Sequence, residues 1–155
     1  MEVRNHWSTL HVPRDDGPPE HMDAYFAFPA EGGPYPGIVV YQEIFGVNEH
    51  IREVCRRVAE HGYVAVAPDI YHRTAPRIEL GYDEQGVSEG RKHKEATTMD
   101  GLLRDTHASI QALRDRDDVR DEALGAVGFC FGGHVAFIAA TLPDLKATAD
   151  RKSVV

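Results

Sequence analysis

The stretch Gly128-Phe129-Cys130-Phe131-Gly132-Gly133 sets a cysteine between two glycines, after one apolar run and before another. The pattern G-x-nucleophile-x-G has the form of a nucleophile elbow, with sulfur where a hydroxyl is more usual. A side chain displayed at the tip of a sharp strand-to-helix turn sits on strained backbone that neighbouring chain must approach closely. Residues without a Cβ allow that approach, which is where Gly128 and Gly132 fall. A thiol at the start of a helix also feels the positive end of the helix dipole, which favours thiolate. The bland alternative is a small buried cysteine at a tight turn, since free cysteine is often simply core. Glu43, at the end of an earlier apolar run, is the second residue that could do chemistry; a solvated loop glutamate is the alternative there.

The elements that must position these residues can be read in order. Val3 to Val12 and Met22 to Phe28 alternate around the turn-rich Asp15-Asp16-Gly17-Pro18-Pro19, predicting two antiparallel strands at a sheet edge. Gly37-Ile38-Val39-Val40-Tyr41, Tyr63-Val64-Ala65-Val66-Ala67 and Leu124-Gly125-Ala126-Val127-Gly128 are short continuous apolar runs, the signature of strands covered on both faces. Ile51, Val54, Cys55, Val58 and Ala59 recur at helical spacing, with Asn48 as candidate N-cap and Gly62 beyond the end. That spacing puts Cys55 on the buried stripe as a structural residue. Met99 to Leu113 predicts a second amphipathic helix, and His134 to Thr141 a small apolar one. Ile70 to Ala96 reads as a long irregular connection with at most a helical turn, and Arg114 to Glu122 as a charged loop. Alternation of this kind implies an α/β fold: a mostly parallel sheet with right-handed crossovers and helices on both faces. Sites in such sheets form at the carboxyl ends of strands, where Cys130 and Glu43 both lie.

The 155 residues, 42% hydrophobic and 27% charged, suit one globular domain. A net charge of -8 argues against nucleic-acid and membrane-surface partners, which call for basic patches, and makes a small molecule the default partner. Two cysteines are no disulfide framework, no signal peptide is visible, and no stretch reaches the roughly 20 apolar residues of a membrane span. These features predict a cytoplasmic protein.

Three motifs at successive strand ends carry a resemblance. Gln42-Glu43-Ile44-Phe45-Gly46-Val47-Asn48, Ala67-Pro68-Asp69-Ile70-Tyr71 and Gly128-Phe129-Cys130-Phe131-Gly132-Gly133 are together similar to the dienelactone hydrolase family of α/β-hydrolases, over about residues 20 to 145. The resemblance implies hydrolysis of small lactones and related esters by a Cys-His-Asp triad, with no metal or organic cofactor. It implies Cys130 as nucleophile and Glu43 as the carboxylate that helps generate its thiolate. The amides of Phe131 and Ile44 match the oxyanion hole. Arg91, within Arg91-Lys92-His93-Lys94, is the nearest counterpart of an arginine that holds a substrate carboxylate.

The chain departs from the pattern after the elbow, where the triad acid and then the histidine should follow. Only His134, Asp144 and Asp150 are present. His134, four residues from the nucleophile on the same element, is expected to pack or cap there and is a poor base. The simplest expectation is a C-terminally truncated hydrolase domain, residues 1–149, with Asp150 to Val155 fitting no helix or strand pattern and reading as a non-native tail. Such a chain should be inactive alone and should leave the edge of its third parallel strand open, a monomer or an edge-paired homodimer. Alternatives on the same scaffold are a general carboxylesterase or thioesterase, or a non-catalytic binding module.

Overall fold

The computed structural model describes residues 1–151. Two alternating stretches form a long hairpin, β1 (Val3–Val12) and β2 (Glu20–Pro29), paired antiparallel with Val3 opposite Pro29 and Val12 opposite Glu20. The apolar runs follow as β3 (Tyr35–Tyr41), β4 (Val64–Pro68) and β5 (Val119–Phe129), and a last short strand is β6 (Ala147–Arg151). Sheet order is β1-β2-β4-β3-β5-β6, with β2 antiparallel to β4 and every pair from β4 to β6 parallel. The hairpin therefore sits at the edge, as its alternation predicts.

Helix α1 (Glu49–Glu60) crosses from β3 to β4. The side chain of Asn48 accepts the Ile51 N–H at 3.2 Å, capping its start, and Ile51, Cys55 and Ala59 turn onto the sheet. They pack with Tyr25, Ala27, Val40, Ala65 and Ala67 on one face. Helices α3 (Met99–Arg114) and α4 (Phe131–Ala139) cover the opposite face, where Leu102, Ile110, Leu113, Val135 and Ala136 meet Val39, Tyr41, Val66 and Leu124. One buried polar contact is closed there, the Tyr41 hydroxyl to the Thr106 hydroxyl at 2.6 Å.

Three expectations are corrected. The connection after β4 is not irregular throughout: α2 (Glu84–Glu95) occupies its second half, capped by Asp83, which accepts the Gly86 N–H at 2.8 Å. Its buried positions are Gly86 and Gly90, so the helix carries no apolar stripe to read. Of the stretch 114–122 only 115–118 is loop, because Arg114 ends α3 and β5 begins at Val119, which pairs with Tyr35 ahead of a register shift. Finally, the edge of β5 is paired rather than open. Gly125 to Phe129 lie opposite Ala147 to Arg151, so Asp150 and Arg151 end a strand, and the remainder of the expected tail, 152–155, lies outside the described residues. Every side chain of β6 is exposed, so backbone pairing decides its structure.

Candidate active site

The elbow is built by β5 running into α4. Cys130 takes φ 56° and ψ −115°, a conformation that a residue with a Cβ adopts only when its surroundings enforce it. They do so on both sides. The Cys130 N–H donates to the Arg151 carbonyl at 2.8 Å, and the Cys130 carbonyl accepts the Gly133 N–H at 2.9 Å. A Cβ on Gly128 would fall on the Gly132 carbonyl, and one on Gly132 would fall on the carbonyls of Tyr41 and Gln42. The two flanking glycines are thus required by close approach. The second contact also docks the elbow directly against the end of β3. The Cys130 side chain is exposed, as a displayed nucleophile must be.

The end of β3 carries Gln42-Glu43-Ile44. Gln42 is fully buried; its carbonyl oxygen accepts the Ile70 N–H at 3.3 Å and its amide donates to the Glu43 carbonyl at 3.1 Å, tying this turn to the one after β4. Glu43 is 8% exposed, and the bridge from Glu43 to Gly46 closes the turn. The Tyr82 hydroxyl lies 3.5 Å from Glu43 Oε1 and accepts the Asn48 amide at 2.9 Å. Partial burial, joined by the Glu43 charge, raises the Tyr82 phenol above its ordinary range despite the Asn48 hydrogen bond.

Two backbone N–H groups border this junction. Phe131 is the first residue of α4, where amides have no intrahelical acceptor. The Ile44 N–H, in the turn, likewise meets no acceptor among the described residues. Tyr71, from the loop after β4, supports Phe131: the rings stack with centroids 6.1 Å apart at 19°, and the Tyr71 hydroxyl donates to the Gly90 carbonyl on α2. Burial, with the neighbouring Cys130 charge, raises the Tyr71 phenol strongly.

The other sequence candidates fall further out. Arg91 is exposed on α2, lining an open groove of about 800 Å³ with Tyr82, Val87, Ser88 and Lys92. His134 neither packs nor caps but is exposed on α4, and Cys130 as the cap residue makes no side-chain capping bond. Asp144 is engaged by Arg114 at 2.6 Å, which holds its carboxyl below the usual range. Sequence reasoning missed a buried His-Asp pair. His72 Nε2 lies 3.0 Å from Asp105 Oδ1, but Arg73 takes both oxygens of that carboxylate at 2.8 and 3.0 Å and also grips Glu20. With Asp105 fully buried and saturated, this network anchors the turn after β4 to α3 rather than offering a free base. Among the described residues no group of three or more His, Cys, Asp or Glu is placed to hold a metal ion, and no helix is long and apolar enough to cross a membrane.

A mixed sheet with helices on both faces and a cysteine displayed on a strained strand-to-helix turn defines an α/β fold of the hydrolase type. Residues 22–150 match the dienelactone hydrolase family, and the chain belongs to it. A Synechocystis protein provisionally named a carboxymethylenebutenolidase is 49% identical over 125 residues, 81% of this chain and 51% of the relative. A Methylorubrum extorquens protein under the same provisional name is 42% identical over 138 residues, 88% of this chain and 45% of the relative. A Klebsiella pneumoniae crystal structure, provisionally named a dienelactone hydrolase, superposes with a TM-score of 0.74 at 33% identity, over 94% of this chain and 58% of that one. The chain spans about half the length of the curated relatives it matches.

Proposed function

We propose that the chain carries the nucleophilic half of a carboxylic ester hydrolase that opens a small lactone or ester through Cys130. The single observation behind this is the exposed sulfur on a positive-φ turn, pressed by Gly132 against the strand end that carries Glu43. The thiol proton passes to Glu43, and the sulfur attacks the carbonyl carbon. The Phe131 and Ile44 amides take the developing oxyanion. Collapse breaks the acyl carbon–oxygen bond, the leaving oxygen takes up the proton, and a thioester remains on Cys130; water then hydrolyses it and returns the thiol. Arg91, in the groove beside Tyr82, is the cation suited to a substrate carboxylate. The acid and histidine of the triad are supplied in the whole enzyme by sequence that this chain does not contain. No cofactor takes part, and the setting is the cytoplasm, where the free thiols of Cys55 and Cys130 persist.

Accordingly, the 155-residue chain turns over activated esters no faster than its Cys130→Ala variant. Steady-state assays with nitrophenyl esters test this. Sustained turnover that depends on Cys130 would contradict the assignment of the base to residues outside the chain.

A further inference from the structure

Tyr82 is absent from the three motifs that carry the family resemblance, yet it reaches into the turn that holds Glu43 from 39 residues away in sequence. Its hydroxyl has one proton and two neighbours. The Asn48 side-chain amide can only donate, so the phenol oxygen accepts that bond at 2.9 Å. The proton is left to point elsewhere, and Glu43 Oε1 at 3.5 Å is the acceptor it faces. Asn48 is in turn fixed, because its own oxygen caps α1 at Ile51. The ring is held separately, edge-on against Phe45 at 4.5 Å, so the hydroxyl's contribution can be removed without the ring's. The residue is 64% exposed and lines the open groove, so it stands between solvent and a nearly buried carboxylate.

We infer that Tyr82 is a positioning residue: its hydroxyl, oriented by Asn48, holds the Glu43 carboxylate in the orientation from which it acts on Cys130. This rests on the role proposed above for Glu43. Tyr82 touches no reacting atom itself and acts through the carboxylate.

The test uses the chain as it is, reading the rate of Cys130 carbamidomethylation by iodoacetamide at neutral pH in four proteins. Glu43→Gln slows the reaction about tenfold, and Tyr82→Phe, which keeps the ring, slows it about threefold, the scale of one hydrogen bond. The double variant reacts at the Glu43→Gln rate, because Tyr82 has nothing left to position. Nuclear magnetic resonance of the tyrosine ring carbon next to the hydroxyl is the second readout. The ionisation of Tyr82 moves down toward its ordinary range in Glu43→Gln, as loss of the neighbouring charge requires, and an unmoved ionisation would overturn the inference by showing that the hydroxyl does not face the carboxylate. If Glu43→Gln slows alkylation while Tyr82→Phe matches the parent, the Tyr82 inference is overturned and the role of Glu43 survives. If Glu43→Gln itself reacts like the parent, the role of Glu43 fails and the inference falls with it.

Discussion

The two cysteines of this chain occupy opposite kinds of place. Cys55 lies on α1 at a helical position of the buried stripe, has no exposed surface, and is pushed up to about 12 by burial. Cys130 is exposed, on backbone that its own Cβ disfavours, at the start of a helix. In the first case the surroundings suit a small apolar side chain. In the second they oppose it, and the opposition is held by neighbouring backbone: the Gly132 contact with β3 and the Arg151 carbonyl of β6. A residue kept where local preference disfavours it is the stronger indication of function.

The sharpest way to break this contrast is chemical. Iodoacetamide should label Cys130 at least about a thousandfold faster than Cys55 in the native protein, because the buried thiol must wait for unfolding; peptide mass spectrometry reads both rates. Comparable rates would show that the α1 face opens readily. Next in size, Gly132→Ala drives a methyl group into the carbonyls at the end of β3 and should cost about 3 kcal/mol or more in urea unfolding, detaching the elbow from the Glu43 turn. Cys55→Ala should cost less, about 1 to 2 kcal/mol, the scale of removing one buried atom group. The same variant carries a pH signature. A Cys55 titration raised in the folded state from an ordinary thiol value means that the unfolded chain binds fewer protons between about pH 9 and 12. Stability falls with rising pH through that window, and Cys55→Ala should fall less steeply. Smallest, and of opposite sign, Cys130→Gly should stabilise by about 1 kcal/mol, since glycine adopts φ 56° freely. A destabilised Cys130→Gly would remove the claim that the elbow is strained.

The same contrast explains what could be read from sequence. Cys55 sits in a helix whose apolar positions recur at a fixed period, and Cys130 sits between glycines that only a close approach requires, so both were legible, as were the three buried parallel strands. Glu43 was legible as the end of one of them. The rest depended on contacts that leave no local pattern. Helix α2 turns glycines inward, so its buried face looks like a loop. Strand β6 exposes all five side chains, and only its pairing with β5 makes it a strand. Tyr82 meets Glu43, and His72 meets Asp105, at separations of 39 and 33 positions along the chain. Hydrophobic period says nothing about such pairs. Its place four residues from the nucleophile on the same element suggests that His134 packs or caps, but it occupies the solvent side, with the exposed Phe137 one turn on.

The central claim is that the sulfur at the bend between β5 and α4 takes an acyl group. Incubating the chain with a nitrophenyl ester and recording the intact mass, followed by peptide mapping, measures this directly. The account predicts one added acyl group per chain, located on Cys130 and missing from Cys130→Ala, and accumulating in keeping with the proposal that the releasing histidine is not among these residues. Acylation that persists in Cys130→Ala, or that maps to Cys55, would contradict it.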